Sequence, residues 1–140
     1  MADKLRFAFT AVDPSFRALG MLPYLPLVLT SQSQSVSVSG LLDTGSTVNV
    51  LPYEIGLELG AVWENQRISV PLGGNLARFE ARALLLTADI AQFPSVELAF
   101  AWTKDRNVPL ILGHMNFFIT FDVCFYRSEL MFEISAKNCT

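Results

Sequence analysis

The chain has 140 residues, with 10 Lys and Arg against 13 Asp and Glu, a net charge of −3. That length fits a single domain, 1–140, and the absence of any long basic run excludes a surface built for nucleic acid or an anionic membrane. Hydrophobic residues make up 51% and charged residues only 16%, a surplus that points to an oligomer interface or a greasy cleft, with a rich core as the plainer alternative.

In chain order, Met1 to Arg6 lacks the apolar core of a signal peptide. Leu5 to Thr10 alternates as a first strand, and Asp13-Pro14-Ser15 is a turn signal. Tyr24 to Thr30 reads as a second strand, with Pro26 keeping it at an edge or a strand start. Ser31 to Ser39 has the composition of a linker. Yet Val36 and Val38 alternate with Ser35, Ser37 and Ser39, the period of a half-buried strand. A hairpin loop is expected at Ser31–Gln34, and Gly40 is expected to turn the chain into the next strand.

Pro52 suits the first turn of a short helix and Gly60 its end, with Ile55 and Leu59 facing the core. Strands are expected over 67–72 and 76–86, joined as a hairpin across Gly73-Gly74-Asn75, which tolerate positive φ. Ser95 to Trp102 alternates, placing Val96, Leu98, Phe100 and Trp102 on one face. Val108 to Leu112 reads as a buried strand, and His114 to Thr120 as a short helix near the C-terminus. Phe121 to Tyr126 and Leu130 to Ile134 form a closing hairpin across Arg127-Ser128-Glu129. The region 108–125 is interrupted by Pro109, Gly113, His114, Asn116 and Asp122, and fails as a membrane span. The pattern is mostly β with short strands, which argues for a small closed barrel or a sandwich.

Two cysteines do not make a disulfide framework. Cys124 reads as a small buried hydrophobe and Cys139 as a free thiol, usage that fits a cytoplasmic protein. One His and two distant Cys cannot build a zinc site, so no metal and no cofactor is expected.

One stretch carries chemistry. In Leu41-Leu42-Asp43-Thr44-Gly45-Ser46-Thr47-Val48-Asn49-Val50-Leu51 an apolar run enters a carboxylate, turns at a glycine and leaves through another apolar run. An ordinary buried turn would use the same residues. Further on stands Pro109-Leu110-Ile111-Leu112-Gly113, a second apolar run ending in glycine, with Gly73-Gly74 between the two. In these motifs and their order the chain resembles the retropepsin-like aspartic proteases, from about Tyr24 to Ile134.

The resemblance implies a small closed β-barrel with one short C-terminal helix and a β-hairpin flap. It implies a homodimeric aspartic endopeptidase in which Asp43, Thr44 and Gly45 form the catalytic triplet. One chain supplies a single Asp-Thr-Gly, and a two-fold homodimer brings its second copy to the axis. The two Asp43 carboxylates then share one proton and activate a water against a protein or peptide substrate, with an acid optimum. Thr44 would exchange hydrogen bonds across the axis, and Ser46 would donate to Asp43 and tune it. Leu72, Gly73, Gly74 and Asn75 would form the flap tip over substrate. Ile111 and Leu112 would line the cleft or support it, and Gly113 would pack against the catalytic turn.

The chain departs from the viral pattern at Thr47 and His114, where viral members often carry an acidic residue and an Arg as a pair. His114 then reads as a local hydrogen-bonding residue. The family builds its dimer sheet from chain ends, and Leu5 to Thr10 and Leu130 to Ile134 are the counterparts here. Two other functions fit less of the sequence. A catalytically silent binding or dimerisation module of the same fold would not need the carboxylate, and a barrel carrying an apolar ligand rests on composition alone.

Overall fold

A computed structural model describes residues 4–11, 20–32 and 34–137. The expected turn at Asp13-Pro14-Ser15 and the thiol of Cys139 lie outside them. The strands are β1 (Lys4–Ala8), β2 (Thr10–Ala11), β3 (Met21–Leu22), β4 (Tyr24–Ser31), β5 (Gln34–Leu42), β6 (Asn49–Leu51), β7 (Ala81–Asp89), β8 (Val96–Thr103), β9 (Ile111–Leu112), β10 (Phe121–Tyr126) and β11 (Met131–Ala136). A short helix, α1 (Tyr53–Glu58), follows Pro52, whose extended backbone caps it.

Six strands close a barrel in the order β4-β5-β9-β6-β8-β7. The alternation of β5 is as expected: Val36 and Val38 are half-buried while Ser35, Ser37 and Ser39 are exposed. Gly40 is a correction. It lies inside β5 rather than at a turn, and a Cβ there would meet Leu112 and Leu110 side chains at 2.8–2.9 Å. Its lack of a side chain lets β5 close onto the second apolar run. Pro26 sits where β4 pairs with β5 alone, since β7 joins β4 only at Val28, Leu29 and Thr30. Its missing N–H therefore costs no ladder bond.

Leu25, Leu27, Leu29, Leu86, Leu98, Phe100, Trp102 and Leu112 are buried in one continuous core. Trp102 stacks on Tyr53 of α1, with ring centroids 5.6 Å apart, and donates its indole N–H to the Tyr53 carbonyl at 3.1 Å. This satisfies the one polar atom of the largest core side chain.

Outside the barrel, β1, β11 and β10 form a three-stranded antiparallel sheet. The two chain-end segments expected to build a dimer sheet thus pair with each other within one chain, Leu5 opposite Ile134 and Phe7 opposite Phe132. Cys124 is a second correction: it is exposed. On β10 Phe121 is buried and Val123 half-buried, so strand parity turns Cys124 to the opposite, solvent-facing side.

The segment 67–86 is a third. The expected hairpin of 67–72 with 76–86 is shorter and later: a single bridge pairs Ser69 with Arg82, and β7 begins only at Ala81. Val70 N–H donates to Ala81 O at 3.0 Å and Ala83 N–H to Ile68 O at 2.8 Å. Pro71 has no N–H to extend this ladder. Gly74 then takes φ +60 and opens a tight helical turn, Gly74–Arg78. Likewise only Ile111 and Leu112 of the buried run 108–112 are strand.

Candidate active site

The loop that carries Asp43 runs between β5 and β6. Its backbone is tied to the second apolar run at several points. Asp43 N–H donates to Leu112 O at 3.0 Å, and β5 and β9 run parallel with Leu41 opposite Ile111 and Leu42 opposite Leu112. His114 N–H donates to Ser46 O at 2.9 Å and Met115 N–H to Thr47 O at 2.7 Å. Gly113 sits between these contacts. A Cβ on it would lie 2.5 Å from Val48 O and 2.6 Å from Ser46 O, both backbone atoms that cannot swing aside. Gly113 therefore packs against the Asp43 loop, as the resemblance implied.

The Asp43 side chain is half-buried, and its Oδ1 accepts the Gly45 N–H at 2.9 Å. Ser46 N–H donates to Asp43 O at 3.1 Å, closing the turn. Ser46 itself departs from expectation. Its hydroxyl donates to Val48 O at 2.7 Å, and a hydroxyl has a single hydrogen to give. The donor expected at Asp43 is thus spent within the loop.

Thr44 is exposed at the outer end of the loop. His114 Nε2 lies 2.6 Å from Thr44 O. A carbonyl only accepts, so this contact fixes the ring proton on Nε2. The local hydrogen-bonding role read for His114 is what it has.

Beneath the loop is a buried carboxamide that sequence reasoning passed over. Asn49 is fully buried. Its Oδ1 accepts Gly113 N–H at 2.8 Å and its Nδ2 donates to Ala99 O at 3.0 Å. Asn116 Oδ1 accepts Ala99 N–H at 2.6 Å and faces Asn49 Nδ2 at 3.5 Å. The signal was a lone polar residue in the run Val48-Asn49-Val50-Leu51, which can be buried only if its donors and acceptors are met.

These elements border one cleft of about 370 Å³. Asp43, Gly45, Ser46 and Thr47 form one side, and Pro71, Leu72, Gly73 and Gly74 the other, with Ile111 and Val50 between. The expected site residues thus come together, with three distinctions. Ile111 lines the cleft, while Leu112 is core. Leu72 and Leu76 pack on Val50, Val108 and Ile111, joining the segment that carries Gly73 and Gly74 to the cleft's apolar side. Asn75 falls within the turn Gly74–Arg78, and its side chain lies outside what the structure describes. A separate depression of about 400 Å³, bordered by Gln32, Gln34, Asn65 and Gln66 among others, holds no acid or base. Among the described residues no cluster of His, Cys, Asp and Glu could hold a metal ion.

Comparison of the coordinates with solved structures finds a similar protein, a retropepsin-like aspartic protease from Rickettsia conorii. The match has a TM-score of 0.66 over 95% of this chain and 90% of that one, at 13% sequence identity. The fold is retropepsin-like. No protein-family model and no curated protein matches the sequence. The parallel pairing of β5 with β9 brings the two motifs together, and Pro71 to Gly74 border the same cleft as Asp43.

Proposed function

We propose that this chain is an aspartic endopeptidase that works as a homodimer, cleaving protein or peptide substrates between bulky apolar residues. The observation that carries the reading is Asp43 itself. It is a half-buried carboxylate in an otherwise uncharged cleft, oriented by the Gly45 N–H and opposite a glycine-bearing covering segment.

One carboxylate per chain cannot both activate a water and protonate the scissile carbonyl. Two Asp43 side chains across a two-fold axis can, because like charges about 3 Å apart hold one proton between them. The ionised partner takes a proton from the trapped water as it attacks the peptide carbon. The protonated partner donates to the carbonyl oxygen, and the tetrahedral diol collapses with proton transfer to the leaving nitrogen. Val48, Val50, Leu72, Leu76 and Ile111 supply apolar walls, which reward substrate side chains by roughly 0.8 kcal/mol per buried methylene. Closure of 71–78 over the peptide would exclude water from the reacting atoms.

The test is peptidase activity on a denatured protein at pH 4 to 6, with and without a hydroxyl-bearing transition-state inhibitor of aspartic proteases. Inhibitable cleavage at apolar pairs is expected. Activity that survives both the inhibitor and Asp43→Ala would overturn the assignment.

A further inference from the structure

Two depressions on the barrel wall join into one groove. The one bordered by Gln32, Gln34, Asn65 and Gln66 shares Asn65, Gln66 and Leu84 with a second, of about 440 Å³, which reaches Arg67, Ile68 and Leu85. Neither shares a bordering residue with the cleft of Asp43.

The groove lies at a seam in the sheet. One edge of β7 is paired with β8 from Ala81 to Ala88. Its other edge is divided. β4 pairs with it only at Thr87, Ala88 and Asp89, and the segment around Ser69 only at Arg82, its last bond running from Ala83 N–H to Ile68 O. Leu85 falls between the two. Backbone groups alternate in direction along a strand, so the N–H and C=O of Leu85 point the same way as those of Ala83, away from β8. Among the described residues no backbone group meets them there. Water can satisfy the pair, but a ligand that displaces the water must bring both an acceptor and a donor.

The flanks of the gap differ in chemistry. On one side Gln32, Gln34 and Asn65 are exposed, each with a donor and an acceptor on one side chain, and Gln66 gives its Nε2 to Val62 O at 3.1 Å, which leaves its oxygen to accept. On the other side Ile68 is 68% exposed and Leu85 59%. Arg67 is the only ionisable residue bordering either depression, and among the described residues no carboxylate lies within ion-pair distance of it. We propose that this groove binds a short extended peptide segment that crosses the seam. One of its residues exchanges N–H and C=O bonds with Leu85, as a strand added to a sheet edge does. Amide or hydroxyl side chains meet the carboxamides, an apolar side chain covers Ile68 and Leu85, and a carboxylate reaches Arg67. The gap is a single residue between two occupied pairings, so the edge of a folded sheet, which needs several consecutive residues, does not fit it. With one cation the groove is also unsuited to nucleic acid. The groove stands apart from Asp43 and does not depend on the proposed peptidase activity; in a peptidase it would hold a part of the substrate outside the cleft.

The experiment titrates isotope-labelled Asp43→Asn protein, in which the peptide cannot be cleaved, with Thr-Gln-Val-Thr-Leu-Glu blocked at both ends, and follows the backbone amides by NMR. Shifts are expected at Gln66, Ile68 and Leu85 and not at Gly45 to Thr47. The Leu85 N–H should exchange quickly with solvent in the free protein and at least about tenfold more slowly with peptide bound. I68S/L85S, with its folding verified by thermal unfolding, should weaken binding on the order of tenfold. Arg67→Glu should weaken it about threefold, and a peptide ending in Lys should recover the loss. A Leu85 N–H already protected in the free protein would overturn the gap and with it the proposal. Shifts confined to the residues around Asp43, or none at millimolar peptide, would overturn the groove, as would binding that I68S/L85S and Arg67→Glu both leave unchanged. Binding at the groove by a wild type without peptidase activity would leave the groove standing and sink the assigned function.

Discussion

The Gly113 N–H donates to Oδ1 of Asn49 at 2.8 Å, across 64 positions of sequence. This bond joins the end of the second apolar run to the strand that leaves the Asp43 loop. Asn49 Nδ2 is meanwhile committed to Ala99 O on β8. One buried side chain therefore fixes three segments, meeting a buried backbone group at Gly113 and a half-buried one at Ala99.

Replacing Asn49 should cost more than a typical core substitution. Asn49→Leu keeps the volume but leaves Gly113 N–H and Ala99 O unpaired. Buried groups stranded in this way cost ~1–3 kcal/mol each. A destabilisation of about 2–5 kcal/mol is expected in urea unfolding. Asn49→Asp should be at least as severe, because it places a carboxylate where Nδ2 now donates to a carbonyl. A change within ~0.5 kcal/mol would show that this network does not hold the loop.

Gly113→Ala tests the close approach from the other side. The added methyl would meet the carbonyl oxygens of Val48 and Ser46 at 2.5 and 2.6 Å. Those atoms belong to the loop that ends at Asp43, so relief requires moving the loop itself. Such overpacking typically costs ~1–3 kcal/mol. Peptidase turnover should fall further than stability does, since a displaced carboxylate loses its alignment. Gly73→Ala is the matched control, because a Cβ there has nothing within 4 Å and its φ is −98.

Much of the barrel was legible because alternation reports burial directly, even in the serine-rich β5. What failed was what period alone cannot carry. The ladder stops at Pro71 and the chain turns at Gly74, so the covering segment is shorter in strand than its apolar residues suggest. Cys124 lies in an apolar stretch, but parity with Phe121 turns it outward. At the site, Asp43, the glycines and Ile111 could be read from their motifs. Asn49 showed there only as a lone polar residue in an apolar run, because its partners Ala99, Gly113 and Asn116 are brought near only by the fold. The chain ends expected to build a dimer sheet, β1 and β11, pair with each other within the chain.

Asp43→Asn should abolish turnover while leaving fold and dimer intact. The amide can still accept the Gly45 N–H through its oxygen, so the loop keeps this 2.9 Å bond. It can neither hold nor release the proton that the reaction moves. A loss on the order of 10³-fold or more is expected. Sedimentation should match the wild type, since removing a like-charge pair at the axis relieves repulsion. Turnover within tenfold of wild type would exclude the shared-proton mechanism.

The last prediction concerns pH and Ser46. Turnover needs one proton on the Asp43 pair. It should fall at low pH, when both carboxyls are protonated, and at high pH, when neither is, giving a bell whose limbs belong to the pair rather than to either residue. The optimum is expected at roughly pH 4–6, between ordinary carboxylate titration and neutrality. From the sequence alone, Ser46 would donate to Asp43 and hold the ionised form, so that Ser46→Ala would shift the bell upward. The loop geometry reverses that expectation. The Ser46 hydroxyl gives its one hydrogen to Val48 O at 2.7 Å. Removing it leaves the donors at Asp43 unchanged, so the two pH–rate profiles should superimpose. The lost bond should appear as stability instead, about 1 kcal/mol in denaturant unfolding. Full profiles of wild type and Ser46→Ala at one ionic strength decide the matter. An upward shift of the bell in Ser46→Ala would mean that the hydroxyl turns to Asp43 in the assembled enzyme. A wild-type optimum above neutrality would remove the shared proton itself.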